Sequence, residues 1–244
     1  MAPRYIDPDA LQAREDEILD RALELISVHG IVALTMDKLV AQVSYSKGTV
    51  YNHFCSKEDV FAALCNREIR SISRLFVRAA SVECSARKRM IAIGYSYMVS
   101  VLLSPQNFTL VMHAKTEMFD KASSARRDEH AELDQRLFGI ICNIIDDAVV
   151  NGELVLKEGA DSQQISFALW SMCFGTIGLL LDGEKFCSTT SGMMLEDRVV
   201  AHERLVMDGL GWKCEDDEER FIEYLKSSVF SDEIKLLAQQ GVFL

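Results

Sequence analysis

Five polar side chains crowd one short stretch: Lys47, Thr49, Tyr51, Asn52 and His53. Val50 and Phe54, one helical turn apart, are the apolar positions of the same stretch. A helix here buries one side and offers the other. The offered side carries donors and acceptors across one helix width. The major groove of B-DNA accepts such a face, because its base edges display a readable donor and acceptor pattern. Upstream, Thr35 can act as an N-cap, its hydroxyl accepting from a first-turn N–H. Met36, Leu39, Val40 and Val43 follow at i, i+3, i+4 and i+7, one apolar stripe. Ser44 and Tyr45 form the turn, and Ser46 caps the next helix. Thr35 to Phe54 is therefore a helix-turn-helix pattern whose second helix is the reader. Lys47, Tyr51, His53 and Lys57 are placed to hold phosphates, while Thr49, Asn52 and Tyr45 can reach bases.

The flanking segments must position this reader. Asp7-Pro8 opens a first helix, with an Asp N-cap and Pro at N1. Ile18, Ala22, Leu25 and Ile26 give it an apolar stripe, and Gly30 stops it. Ser56 caps a long fourth helix, with Asp59 as a capping-box partner and Lys57 in the phosphate-binding first turn. Val60, Phe61, Leu64, Leu75 and Phe76 make its buried side. Arg67, Arg70, Arg74 and Arg78 share another face, which reads as solvated rather than DNA-flanking.

The run SKGTVYNHF, followed by Ser56-Lys57-Glu58-Asp59, closely resembles the DNA-binding domain of the TetR family of bacterial transcriptional regulators. The likeness covers about residues 12–70. One departure is Ser44, which holds a turn position where that family usually has Gly. A positive φ is expected there, a conformation uncommon for a residue with a Cβ. The resemblance implies an all-α chain with a three-helix helix-turn-helix domain (1–56), a linking helix (57–86) and a larger effector-binding and dimerisation domain (87–244). It further implies a homodimer through a four-helix bundle of the 162–181 and 195–210 helices. The partners expected from it are a pseudo-palindromic double-stranded DNA operator and a small-molecule effector that releases a repressor.

Composition agrees with a helical chain. Of 244 residues, 49% are hydrophobic and only three are Pro. The net charge of −11 is unevenly spread: residues 1–90 sum to +1 and the remainder to −12. An acidic rear repels DNA and a neutral front tolerates it, so the field orients the molecule. The seven Cys show no C-x-x-C spacing, and no apolar run follows a basic start. The apolar runs Phe138–Ile145 and Met172–Leu181 are too short to span a bilayer. A cytoplasmic protein with no membrane contact is the expectation.

Beyond residue 87 the pattern predicts helices over Met90–Ser104, Phe108–Phe119, Ser124–Asn151, Ser162–Leu181 and Leu195–Leu210, a polar loop over Asp182–Gly192, and two further runs in an acidic tail. Tyr95, Met98, Phe108, Met112, Trp170 and Phe174 supply aromatic area and thioether adaptability. They are candidate contacts for a hydrophobic or amphipathic effector, with packing as the plain alternative. His113 and Glu117, at i and i+4, could orient a polar group, but two ligands make a poor metal site. No enzyme motif or cofactor signature is present. Two other readings are a redox sensor acting through Cys55, beside the reader, and a helical enzyme or carrier without DNA binding.

Overall fold

The computed structural model describes residues 7–117, 119–181 and 192–244, the side chains of 112–117 excepted. The loop expected over Asp182–Gly192 lies, but for Gly192, outside the described residues. Every regular element among the described residues is helical: α1 Pro8–His29, α2 Met36–Ala41, α3 Lys47–His53, α4 Lys57–Ala80, α5 Ala86–Leu103, α6 Pro105–Glu117, α7 Ser124–Val150, α8 Ser162–Leu181, α9 Leu195–Gly209, α10 Glu218–Tyr224 and α11 Ser231–Gln239. The chain forms two compact units. One comprises Met1–Glu68 with Gln106–Glu132, the other Ile69–Pro105 with Leu133–Leu244. These packing divisions fall elsewhere than residues 56 and 86.

In the first unit the caps work as the side chains suggest. Asp7 accepts from the Asp9 N–H at 3.2 Å, with Pro8 opening α1. Thr35 accepts from the Lys38 N–H at 3.3 Å, and Ser46 from the Thr49 N–H at 3.1 Å. Each bond satisfies a donor that the helix itself leaves unpaired. Gly30 ends α1 with φ +81°, its N–H bonded to the Ile26 carbonyl. No described non-glycine residue has positive φ. Ser44 thus makes its turn without the left-handed backbone expected there, and no strain is stored at it.

These helices share one core. Ile18, Leu19 and Ala22 of α1, Leu39 of α2, Val50 of α3 and Phe61 of α4 are buried together with Phe54. Met36, Val40 and Val43 pack on its edge. Burying a side chain of this size contributes about 1.5–3 kcal/mol. This core holds the short α2 and α3, which are too brief to be stable alone.

In the second unit α5 is buried on all sides and packs against α8, α9, α10 and α11. It starts at Ala86 rather than at Met90, because Ser85 accepts from the Lys88 N–H at 3.3 Å. The next helix starts at Pro105 rather than at Phe108, because Pro opens a helix at a position where its missing N–H costs nothing. The tail is integral to this unit. Trp212, Phe221, Leu225, Phe230 and Leu237 are buried. The Arg87 guanidinium, 1% exposed, lies 2.5 Å from Glu218, 2.7 Å from Asp208 and 3.1 Å from the Trp212 carbonyl. The helix α8 is long and apolar enough by length and composition to cross a membrane. The apolar run Met172–Leu181, too short to span a bilayer, is only the second half of this helix. A third of its most apolar window is buried, and its exposed side includes Phe167 and Leu179.

The Phe54→Ala protein should lose about 3–5 kcal/mol of stability in urea denaturation. Val32→Ala, at a surface position, should change it by less than about 0.5 kcal/mol.

Candidate nucleic-acid interface and effector cavity

The reader helix α3 turns Val50 into the core and leaves Lys47, Gly48, Tyr51 and Asn52 exposed, with Thr49 half-buried. Its cap is tight: the Ser46 Oγ also lies 2.9 Å from the Thr49 Oγ1. Lys47 reaches sideways, its Nζ 2.8 Å from the exposed Asp37 carboxylate and 5.5 Å from the Tyr51 ring centroid. Both contacts are solvent-exposed and cost little to exchange for a phosphate. Lys57 stands in the first turn of α4, and Thr35 at the start of α2.

Two expected contacts sit differently. The His53 side chain is 5% exposed and faces Glu15 at 3.6 Å, so it is turned away from the surface that carries Lys47 and Asn52. Tyr45 donates its hydroxyl to Glu17, and the Arg14 guanidinium covers its ring at 5.3 Å. Tyr45 is tied to α1, where a base would have to break that bond. In both cases an acid on α1 captured a side chain that sequence spacing placed on the reading face.

A polar frame holds the end of α3. Arg126 donates to Glu15 at 2.8 Å, to the His53 carbonyl at 3.4 Å and to Glu129 at 3.2 Å, and lies 5.3 Å over the Phe54 ring. The Asp59 carboxylate accepts from the Cys55 N–H at 3.0 Å, the Cys55 thiol at 2.7 Å and the Ser123 N–H at 2.7 Å. Ser56 caps α4 as expected, its Oγ accepting from the Asp59 N–H at 3.2 Å, while the reciprocal bond of the capping box goes to the Cys55 N–H instead of that of Ser56. Burial opposes the charge on Asp59, but the hydrogen bonds from Cys55 and Ser123 outweigh it and hold the pKa below the usual value. The same hydrogen bond, and then burial, raises the pKa of Cys55.

In the second unit a cavity of about 20 Å³ is lined by Met90, Gly94, Tyr97, Trp170, Cys173 and Glu203, among others. Of the expected effector contacts whose side chains are described, only Trp170 lines it. Phe174 packs on the Trp170 ring at 5.1 Å. Tyr95 points elsewhere: it donates to Glu196 at 3.2 Å and stacks on Phe230 at 6.1 Å. Met98 is fully buried without reaching the cavity, and Phe108 belongs to the first unit. The side chains of Met112, His113 and Glu117 lie outside the described residues.

Glu203 was not among the expected residues. It is 1% exposed, its Oε2 has no hydrogen-bond partner, and burial pushes its pKa well above the carboxylate range. Gly94 makes room for it, since a Cβ there would lie 2.4 Å from Oε2. A signal existed: Val199, Glu203 and Met207 recur at i, i+4 and i+8, so an acid sits in the buried stripe of α9.

A capped helix with an apolar underside and a polar outer face, braced by two more helices, defines a helix-turn-helix DNA-binding protein. Residues 18–64 match the family model for bacterial regulatory proteins of the tetR family. These residues therefore carry the DNA-binding domain of tetR-family bacterial regulatory proteins. It is 24% identical over 161 residues to the fatty acid metabolism regulator protein of Bacillus subtilis, covering 66% of this chain and 78% of that one. A tetR-family regulatory protein from Rhodococcus shares the fold, with a TM-score of 0.63 at 15% identity, over 82% of this chain and 98% of its own. So does the B. subtilis regulator FadR in complex with stearoyl-CoA, with a TM-score of 0.58 at 18% identity, over 80% and 96%.

Asp59 supplies a pH signature. Its folded pKa is depressed, so its stabilisation is present above the unfolded value of about 3.9 and is lost as pH falls below it. Asp59→Asn should lower stability at pH 7 and flatten the loss on acidification, as read by chemical denaturation at neutral and acid pH.

Proposed function

We propose that this regulator binds a pseudo-palindromic operator as a homodimer, represses there, and is released by a hydrophobic or amphipathic small molecule. The carrying observation is the outward polar face of α3, capped by Ser46 and seated on buried Val50 and Phe54. Lys47, Tyr51 and Lys57 hold phosphates in this reading, and Thr49 and Asn52 reach bases. The exposed apolar residues of α8 and α9, including Phe167 at 60% and Leu205 at 70%, support a subunit interface across those helices. The polar residues Ser162, Gln163, Gln164 and Ser171 along α8 favour a protein partner over lipid. The stearoyl-CoA held by FadR supports an amphipathic effector class. A redox switch at Cys55 is disfavoured, because its thiol is held protonated by Asp59, whereas a sensor needs the thiolate.

A gel-shift assay with DNA from upstream of the protein's own gene tests this reading; no specific shift at any site there rejects it. Lys47→Ala should weaken binding to all sequences and reduce the salt slope by about one unit. Leu205→Glu should shift the protein to a monomer in sedimentation and weaken operator binding with it.

A further inference from the structure

We infer that the Glu203 cavity is the head-group site for a primary organic cation, an alkyl- or aralkylammonium. The inference rests on the ligand-responsive reading above and specifies its ligand. Four observations carry it.

First, Glu203 is a buried acid without a partner for Oε2, aimed into a void. Such groups are rare, because an unpaired buried polar atom is costly. Second, Gly94 on the facing helix is the one residue type that leaves the carboxyl its place. Third, the void of about 20 Å³ has room for one water-sized group, the size of an ammonium head. Fourth, the walls include the rings of Phe76, Tyr97 and Trp170 and no Lys, Arg or His. Aromatic faces attract a cation. An anionic head would find no cationic partner on these walls.

The charged groups around Glu203 leave this role open. Arg87 of α5 is engaged by Asp208 and Glu218, and Arg204 of α9 by Glu218 and Glu219. Cys173 of α8 is neutral, since burial raises its pKa well above the usual thiol value. Burial and the negative charge of Glu218 of α10 favour the protonated form of Glu203; the positive charges of Arg87 and Arg204 oppose this without outweighing burial. The net −12 of the chain beyond residue 90 also draws cations rather than anions. On binding, the Glu203 carboxylic acid releases its proton to solvent, and the resulting carboxylate pairs with the incoming ammonium. No covalent bond changes. Affinity therefore rises by roughly tenfold per pH unit while free Glu203 stays protonated and the amine charged.

The test is isothermal titration of the full chain with n-octylammonium, n-octanol and octanoate, at pH 7 in two buffers of different ionisation enthalpy. The expected result is that octylammonium binds at least tenfold more tightly than the other two, with release of about one proton. Glu203→Gln should lose at least tenfold in octylammonium affinity while keeping its melting temperature. Tyr97→Leu, which leaves the acid intact, should also weaken octylammonium while octanol is unaffected. Equal binding of octanoate or octanol, absence of proton release, no binding of the amine, or unchanged affinity in both variants overturns the cation site. A gel shift on the same wild-type protein separates the two levels. Retained operator binding in that event leaves the regulator reading standing, while a missing shift rejects that reading itself.

Discussion

Val50 and Phe54 can be buried only by rolling α3 so that its other side meets water. That single constraint sets the recognition surface. The helix is too short to persist in isolation, so its orientation is wholly a product of what lies beneath it. The underlying surface is made by α1, α2 and α4, each supplying fully buried aliphatic or aromatic side chains. Lys47, Tyr51 and Asn52 are outward because their neighbours in sequence are inward. Neither the polar face nor the core is intelligible without the other.

The polar frame at the end of α3 adds directional restraint to this non-directional packing. The Arg126 and Asp59 side chains make hydrogen bonds that reach Glu15, the His53 carbonyl, Glu129, Cys55 and Ser123. Charge-assisted hydrogen bonds of this kind are stronger than neutral ones and fix geometry more closely. Ser123 and Arg126 lie at the start of α7, far from the reader in sequence but in the same compact unit. A reader helix held at its C-terminal end by residues of a later helix has fewer ways to tilt than one held by apolar contact alone.

The second unit handles its buried charges in two ways. Arg87 is surrounded by two carboxylates and a carbonyl, so its charge is paired even at 1% exposure. Removing one partner of such a cluster leaves an uncompensated charge and is strongly destabilising. Glu203, also 1% exposed, leaves Oε2 without a hydrogen-bond partner, and burial pushes its pKa well up against the opposing charge of Arg87. The contrast matters because the two lie in one core. A paired charge is committed to structure, whereas an unpaired acid beside a void retains unused bonding capacity.

Local features were readable from the residues themselves. The Asp7, Thr35 and Ser46 caps, the Gly30 stop and the Met36–Val43 stripe depend on neighbours within one or two turns, and they stand as their types dictate. Helix α8 also has its expected ends. What the linear order could not convey was which distant residue would claim a polar side chain. His53 and Tyr45 look available along the chain, yet Glu15 and Glu17 on α1 take them. Tyr95 reads as a pocket aromatic, but Glu196 and Phe230, both more than a hundred residues away, hold it in the core. The reverse holds for Glu203, whose i+4 spacing hinted at burial, while only the approach of α5 at Gly94 made it a cavity wall. Caps and stripes are decided by short-range hydrogen bonds and helical period; partners and cavities are decided by which helices meet.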